Sequence, residues 1–230
     1  MTWRKKAKKG VAIAAVENVK DGFVIGLGSG TTVAYVFQEL GRRIREERLN
    51  VLGVPTSYQA FHLAVENKIA TTTLEEHPRL DVTIDGADQV DQRLDMIKGM
   101  GGALTREKIV ACASRKNVIV IDETKWVTRL GANHPVPVEV MPFALSLVTT
   151  KMNELGGEAS LIMAQKKVGP IVTDNGNFIL NVDFGLIDSP SKLDRTLQSI
   201  PGVVETGLFI GMADVVYVGS RETVHKFERS

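Results

Sequence analysis

The stretch from Asp85 to Glu107 reads DGADQVDQRLDMIKGMGGALTRE and holds most of the residues that could do chemistry. The apolar run Val82-Thr83-Ile84 delivers two aspartates, Asp85 and Asp88, on either side of Gly86-Ala87. Lys98 follows, then a glycine-rich loop (Gly99, Met100, Gly101, Gly102), then Glu107 in what reads as the first turns of a helix. Aspartates at a strand end can cap the next turn, bind sugar hydroxyls, protonate a ring oxygen or hold Mg²⁺. No further carboxylate or phosphate motif supports a metal cage, so metal-free chemistry is expected. Lys98 precedes glycines that let backbone approach a ligand closely; its plain alternative is a solvated lysine. A helix N-terminus favours the ionised carboxylate that a general base requires, which makes Glu107 a candidate base. Its alternative is a surface ion pair with Arg106 or Lys108.

A second group, Gly28-Ser29-Gly30-Thr31-Thr32, sits between an apolar run and a helix-like pattern. Backbone N–H groups, hydroxyls and the positive helix end suit a phosphate there. No Lys follows the last glycine, so it is not a P-loop, and Thr31 stands where a dinucleotide fingerprint needs its third glycine. A small phosphorylated substrate fits better than a nucleotide. Lys125 follows the apolar run Val118–Ile121 and could bind phosphate too. The basic run Arg4 to Lys9 reads as a solvated helix face, with a phosphate contact from one lysine as the alternative.

These groups need a frame that gathers strand ends. Apolar runs near 23–27, 51–55, 69–73, 82–85 and 118–121 alternate with helical patterns at 4–19, 33–44, 58–67 and 103–115. That alternation predicts a doubly wound, mostly parallel, Rossmann-like α/β sheet, whose strand ends and following loops bind ligands. After Lys125 the pattern changes. Strands at 136–140, 159–164, 178–182 and 203–210 and helices at 144–155 and 191–199 come close to a split β-α-β-β-α-β unit, with one extra hairpin strand possible. Asn175-Gly176 is a hairpin signal. The expected domains are 1–130 plus 206–230, Rossmann-like and catalytic, and 131–205, smaller and α+β ferredoxin-like. The run at 214–218 is expected to return to the first sheet.

A net charge of +1 gives no broad attraction to nucleic acid or to acidic membranes. No apolar stretch approaches a membrane span, and the N-terminus lacks a signal-peptide core. Cys112 is the only cysteine, which fits a reducing cytoplasm; within Ile109–Ala113 it reads as a small buried hydrophobe. Trp3 and Trp126 read as packing residues.

Taken in order, GLGSGTT, DGADQVD, KGMGGALTREK, VPVEVMP, TDNGN and IPGVVETGLF resemble the ribose-5-phosphate isomerases of the A type. The resemblance spans nearly the whole chain and implies interconversion of ribose 5-phosphate and ribulose 5-phosphate, without cofactor, in a homodimer or homotetramer. It implies that Glu107 is the proton-shuttling base, aided by Asp85, Asp88 and Lys98. Ser29, Gly30, Thr31, Thr32, Asp85, Gly86, Ala87, Asp88, Lys98, Gly99, Met100, Gly101 and Lys125 then line the substrate. Members commonly have glycine where Met100 stands; were a positive φ required there, methionine would be strained by about 1 kcal/mol or more. The competing readings are a sugar-phosphate deaminase or coenzyme A transferase on a related fold, and a non-catalytic sugar-phosphate sensor.

Overall fold

The computed structural model of the chain describes residues 2–229. Two compact units divide them: the first holds residues up to Ala87, Arg106–Trp126 and those from Met212, the second Asp88–Thr105 and Val127–Gly211. Against the boundaries expected from the sequence, the second unit starts at 127 rather than 131 and ends at 211 rather than 205. It also takes in the stretch holding Asp88 and Lys98.

The first unit contains α1 (Trp3–Val16), β1 (Val24–Leu27), α2 (Val33–Glu47), β2 (Leu52–Pro55), α3 (Tyr58–Glu66), β3 (Ala70–Thr71) and β4 (Val82–Asp85). It continues with most of α4 (Leu104–Cys112), then β7 (Asn117–Asp122), β13 (Val215–Gly219) and β14 (Val224–Glu228). Its seven-stranded sheet has the order β14-β13-β7-β4-β1-β2-β3, parallel except for β14. The chain winds outward from β1 to β3, then crosses back to lay β4 against the other side of β1. Strand order reverses there, which makes the β1/β4 crevice the topological switch point where such sheets bind ligands. Parallel strands covered on both faces read as unbroken apolar runs, and all of β4, β7 and β13 is buried. The sequence gives no such run at 224–228: VHKFE is mostly exposed, as suits a charged edge strand.

The second unit contains β5 (Gln89–Val90), β6 (Met96–Ile97), β8 (Val136–Val140), α5 (Leu145–Glu154), β9 (Glu158–Leu161), β10 (Phe178–Asp183), α6 (Pro190–Gln198), β11 (Val203–Thr206) and β12 (Leu208–Phe209). The order β11-β8-β10-β9, antiparallel throughout, completes the split β-α-β-β-α-β unit without an extra strand. Its core gathers Val136, Val138, Val140, Val148, Met152, Leu180 and Leu197.

Three local expectations change. The single strand at 203–210 is two strands in different sheets, broken at Gly207, where a Cβ would lie 2.3 Å from the Lys98 carbonyl oxygen. The Asn175-Gly176 turn does not join two paired strands directly; it closes a loop from Thr173 to Asn177 within the longer β9–β10 connection. Cys112 is exposed, not buried. It ends α4 two positions past buried Val110, about 200° around the helix from it. Among the described residues no helix is long and apolar enough to cross a membrane.

The β5–β6 turn carries a buried carboxylate. Asp91 Oδ1 accepts the N–H groups of Arg93 (2.8 Å) and Asp95 (3.0 Å), and Leu94 takes a φ of +61°. Burial raises the Asp91 carboxyl above its ordinary range, against those two donors, which lower it. A raised folded-state value favours folding below the unfolded-state value, and that contribution disappears as pH rises through the folded one. Asp91→Asn keeps the Oδ1 acceptor without the ionisation. Wild type should therefore lose stability relative to the variant as pH rises from about 4, the ordinary carboxylate value, through the raised folded-state one. A difference in melting temperature that stays constant over that range would contradict this.

Candidate active site

The site is built from strand ends. β1, β2, β4 and β7 are parallel, so the segments after Leu27, Pro55, Asp85 and Asp122 all lie at one edge of the sheet. After β1 the chain turns through Gly28 and Ser29. Gly28 N–H donates to the Ile84 carbonyl (3.0 Å), while Asp85 Oδ1 accepts Ser29 N–H (3.1 Å) and Gly86 N–H (2.7 Å). A Cβ on Gly28 would lie 2.1 Å from Asp85 Oδ1 and 2.6 Å from the Asp85 Cα. The two strand ends touch so closely that only glycine fits.

Gly30 takes a φ of +103°, and no atom lies within 4 Å of where its Cβ would be. Its N–H donates to Gln59 Oε1 at 3.0 Å. Ser29 Oγ lies 2.9 Å from Thr56 Oγ1 and 2.6 Å from Ser57 Oγ, both at the end of β2. Lys8 Nζ donates to Thr31 Oγ1 at 2.8 Å. Lys8 is half-buried, while Arg4, Lys5, Lys6 and Lys9 are exposed and fit the solvated helix face. Thr32 leads into α2 without a side-chain cap bond. This turn combines a glycine-lined backbone, several hydroxyls, an ammonium and a helix start, all suited to an anion.

Glu107 lies in the first turn of α4 and is only 6% exposed, which removes the surface ion-pair reading. α4 packs tightly on the sheet at Gly26, where a Cβ would lie 2.5 Å from Val110 Cγ1. The Arg106 guanidinium sits over the Tyr58 ring at 5.4 Å, which puts the first turn of α4 beside the start of α3, at the same sheet edge. Lys125 is half-buried in the short turn Glu123–Lys125 after β7, also at that edge.

The second unit holds the remaining predicted residues. Asp88 begins the β5–β6 ladder, with its N–H on the Ile97 carbonyl (2.9 Å), and its Oδ2 accepts Met100 N–H (3.0 Å). Lys98 is 4% exposed, not a solvated lysine, with Nζ 5.3 Å from the Phe209 ring centroid. In the glycine loop the positive φ values fall on Gly99 (+106°) and Gly102 (+76°), not on Met100. Methionine is therefore unstrained there. Gly101, like Gly102, has open space where a Cβ would stand.

From the sequence, Lys8 stands only as one member of the basic run, and Thr56, Ser57 and Gln59 have no role; all four contact the Gly28–Thr32 turn. The signal for the last three was available: Thr56-Ser57 directly follows β2, a strand parallel to β1. Among the described residues no group of three or more His, Cys, Asp or Glu is placed to hold a metal ion.

The chain is similar to known proteins over nearly its whole length. The family model for ribose 5-phosphate isomerase A (phosphoriboisomerase A) matches residues 52–223. Ribose-5-phosphate isomerase A of Methanosarcina acetivorans is 52% identical over 94% of this chain and 91% of its own. That of Methanothermobacter thermautotrophicus is 50% identical over 94% of each. A solved D-ribose-5-phosphate isomerase in complex with phospho-erythronic acid superposes with a TM-score of 0.97, at 42% identity and 100% coverage of both chains. Ribose 5-phosphate isomerase A from Methanocaldococcus jannaschii gives 0.94 at 45% identity, covering 98% of this chain and 99% of that one.

The contact between Gly28 and Asp85 yields a test that needs no substrate. Gly28→Ala should lower stability by about 1–3 kcal/mol, the usual result of forcing an atom into filled space. Calorimetry would register this as a reduced melting temperature. A melting temperature equal to wild type would mean that Asp85 moves aside freely.

Proposed function

The chain belongs to the ribose 5-phosphate isomerase A family and is an enzyme of that type, and we propose that it moves a proton between carbons 1 and 2 through an enediolate, with Glu107 as the base. The observation that carries this reading is a buried carboxylate in the first turn of α4, at the sheet edge that also holds the Gly28–Thr32 turn. The relative bound to phospho-erythronic acid supports it: that ligand joins a phosphate to two oxygens on its terminal carbon, a likeness of an enediolate's paired oxygens.

Starting from open-chain ribose 5-phosphate, Glu107 takes the proton from carbon 2, and the electron pair shifts to leave negative charge on the carbonyl oxygen. A proton passes between the two oxygens. Glu107 then returns its proton to carbon 1, and the carbonyl re-forms at carbon 2, giving ribulose 5-phosphate. One carboxylate serves both directions. Lys98, Asp85 and Asp88 hold the two oxygens and stabilise the charge that develops there. Gly86, Ala87, Gly99, Met100 and Gly101 supply backbone contacts. Ser29, Gly30, Thr31 and Thr32 take the phosphate with Lys125, and the Lys8–Thr31 contact supports adding Lys8 to that group. Phosphate held far from the reacting carbons orients the substrate.

The proposal includes a cytoplasmic setting and a homodimer or homotetramer. Met141, Phe143 and Leu147 of the second unit are at least half exposed, Phe143 almost wholly. Large apolar side chains so placed support burial against another copy. Light scattering at working concentration should report more than one chain; a monomer would end that part.

Two variants test the chemistry. Glu107→Gln keeps size but removes the base, so kcat should fall about 10²–10⁴-fold while affinity for ribose 5-phosphate holds. Solvent exchange of the carbon 2 proton should stop in step. Thr31→Ala removes a donor to a charged group, about 1.5–3 kcal/mol. That loss should appear in KM more than in kcat, since the phosphate is bound alike throughout. A Glu107→Gln enzyme keeping more than about a tenth of its kcat would have lost under 1.4 kcal/mol of barrier lowering, and Glu107 would not be the base.

A further inference from the structure

VPVEVMP and TDNGN have no part in the chemistry above, yet they meet. Glu139 sits within β8, where Val136, Val138 and Val140 face the core of the second unit. Side chains alternate along a strand, so Glu139 points to the other face, yet it is 0% exposed. One oxygen, Oε1, accepts Thr173 Oγ1 (2.8 Å), Asn175 Nδ2 (3.2 Å) and Asn177 Nδ2 (2.8 Å). The other, Oε2, accepts Thr105 Oγ1 at 2.5 Å. The donor loop is itself closed: Thr173 N–H reaches the Asn177 carbonyl (2.9 Å), and Thr173 Oγ1 accepts the N–H groups of Asn175 (3.2 Å) and Asn177 (3.1 Å). A buried carboxylate is thus held by four neutral donors, and three of them come from one loop.

The fourth donor is the informative one. Thr105 is the second residue of α4 and stands two before Glu107 in the same first turn. Helix ends fray unless something outside the helix fixes them. No intrahelical acceptor is needed for the Thr105 hydroxyl; it spends its bond on a wholly buried charged group instead. The loop holds one carboxylate oxygen from one side, so the other is presented in a fixed place. We infer that Glu139, backed by the Thr173–Asn177 loop, is a positioning residue that anchors the first turn of α4 through Thr105 and so sets where the Glu107 carboxylate stands. Glu139 touches no substrate in this reading. The inference rests on Glu107 as the base, and the Glu107→Gln experiment tests that premise separately: if it fails, the anchor remains but has no catalytic consequence.

The test is Thr105→Val, nearly isosteric and lacking the hydroxyl, with Thr105→Ser as the conservative control. Misplacing a reacting group by about 1 Å can lower a rate about 100-fold. Thr105→Val should thus lower kcat roughly 10–100-fold with KM for ribose 5-phosphate within about twofold, and Thr105→Ser should restore most of it. With deuterium at carbon 2, the isotope effect on kcat should rise in Thr105→Val, because proton transfer has become slower. A role confined to stability would lower the melting temperature and leave both kcat and the isotope effect unchanged at temperatures where the variant is folded. Glu139→Gln keeps an acceptor for the loop and offers an amide N–H to the Thr105 oxygen. It should lower kcat less than Thr105→Val does, and added to Thr105→Val it should lower kcat no further. Wild-type kcat in Thr105→Val, no rescue by serine, or a further independent loss in the double variant would each overturn the inference.

Discussion

The first unit depends on one close approach, the end of β1 against the end of β4. Two neighbouring parallel strands whose exit segments diverge leave a crevice, and a crevice binds a ligand only if its walls are fixed. Here the wall is fixed by Asp85. Its Oδ1 holds the Ser29 and Gly86 N–H groups, which joins the Gly28–Thr32 turn to the strand end bearing the carboxylate. A side chain at position 28 would occupy the volume of that carboxylate. The same logic recurs at Gly26, which lets α4 settle onto β1 so that the first turn of the helix reaches the sheet edge. Two glycines in one short strand-and-turn segment therefore set both the anion-suited turn and the depth of the helix carrying Glu107. Asp85 thus fixes the backbone of both strand ends.

How much of this was legible in the sequence follows from how local each signal is. The parallel sheet was legible because strands covered on both faces must be apolar throughout, as in NVIVID and VVYVG. The β-α-β-β-α-β unit was legible from element order alone. β5, β6 and β12 were not, because ladders two residues long carry no periodicity. The break at Gly207 was hidden for another reason: VVETGLFI is largely β-branched and aromatic and reads as one strand, and the Lys98 carbonyl and Pro137, from elsewhere in the chain, are what force glycine there. Asn175-Gly176 is a correct turn signal attached to the wrong partner. The positive φ of Gly176 closes a loop on Thr173, and that loop serves a side chain rather than a strand register.

The candidate site divides in the same way. Residue types that recognise charge, such as Asp85, Lys98 and Glu107, could be picked out individually, since each follows an apolar run or a glycine loop. Their burial could not: Lys98 at 4% and Glu107 at 6% exposure are outcomes of packing, and that separates them from ordinary surface charges. Met100 shows the reverse. The glycine loop needs left-handed backbone at only two places, Gly99 and Gly102, so Met100 between them is free to carry a side chain. Counting glycines overstates what a loop requires; φ at each position decides. Lys8 was hidden within a basic run whose other members are solvated, and its distinction is a tertiary contact, the bond from its ammonium to Thr31 Oγ1.

Glu139 raises the question of why a carboxylate is buried where an apolar residue would be easier to place. Moving an ion out of water costs several kcal/mol even after relaxation. Hydrogen bonds to a charged acceptor return about 1.5–3 kcal/mol each, and Glu139 has four. The balance is therefore near neutral or modestly favourable, so stability alone gives little reason to prefer it to valine or leucine. What an apolar side chain cannot do is fix direction. Dispersion contacts tolerate small shifts in every direction, whereas a carboxylate held by three donors on one oxygen points its second oxygen along a defined line. The Thr105 hydroxyl lies on that line, at the start of the helix that carries the buried glutamate. On the proposed mechanism a proton must leave one carbon and return to its neighbour through a single carboxylate, and such a base has little tolerance for a wandering helix end. A polar anchor in place of an apolar one is the solution that geometry, rather than stability, favours.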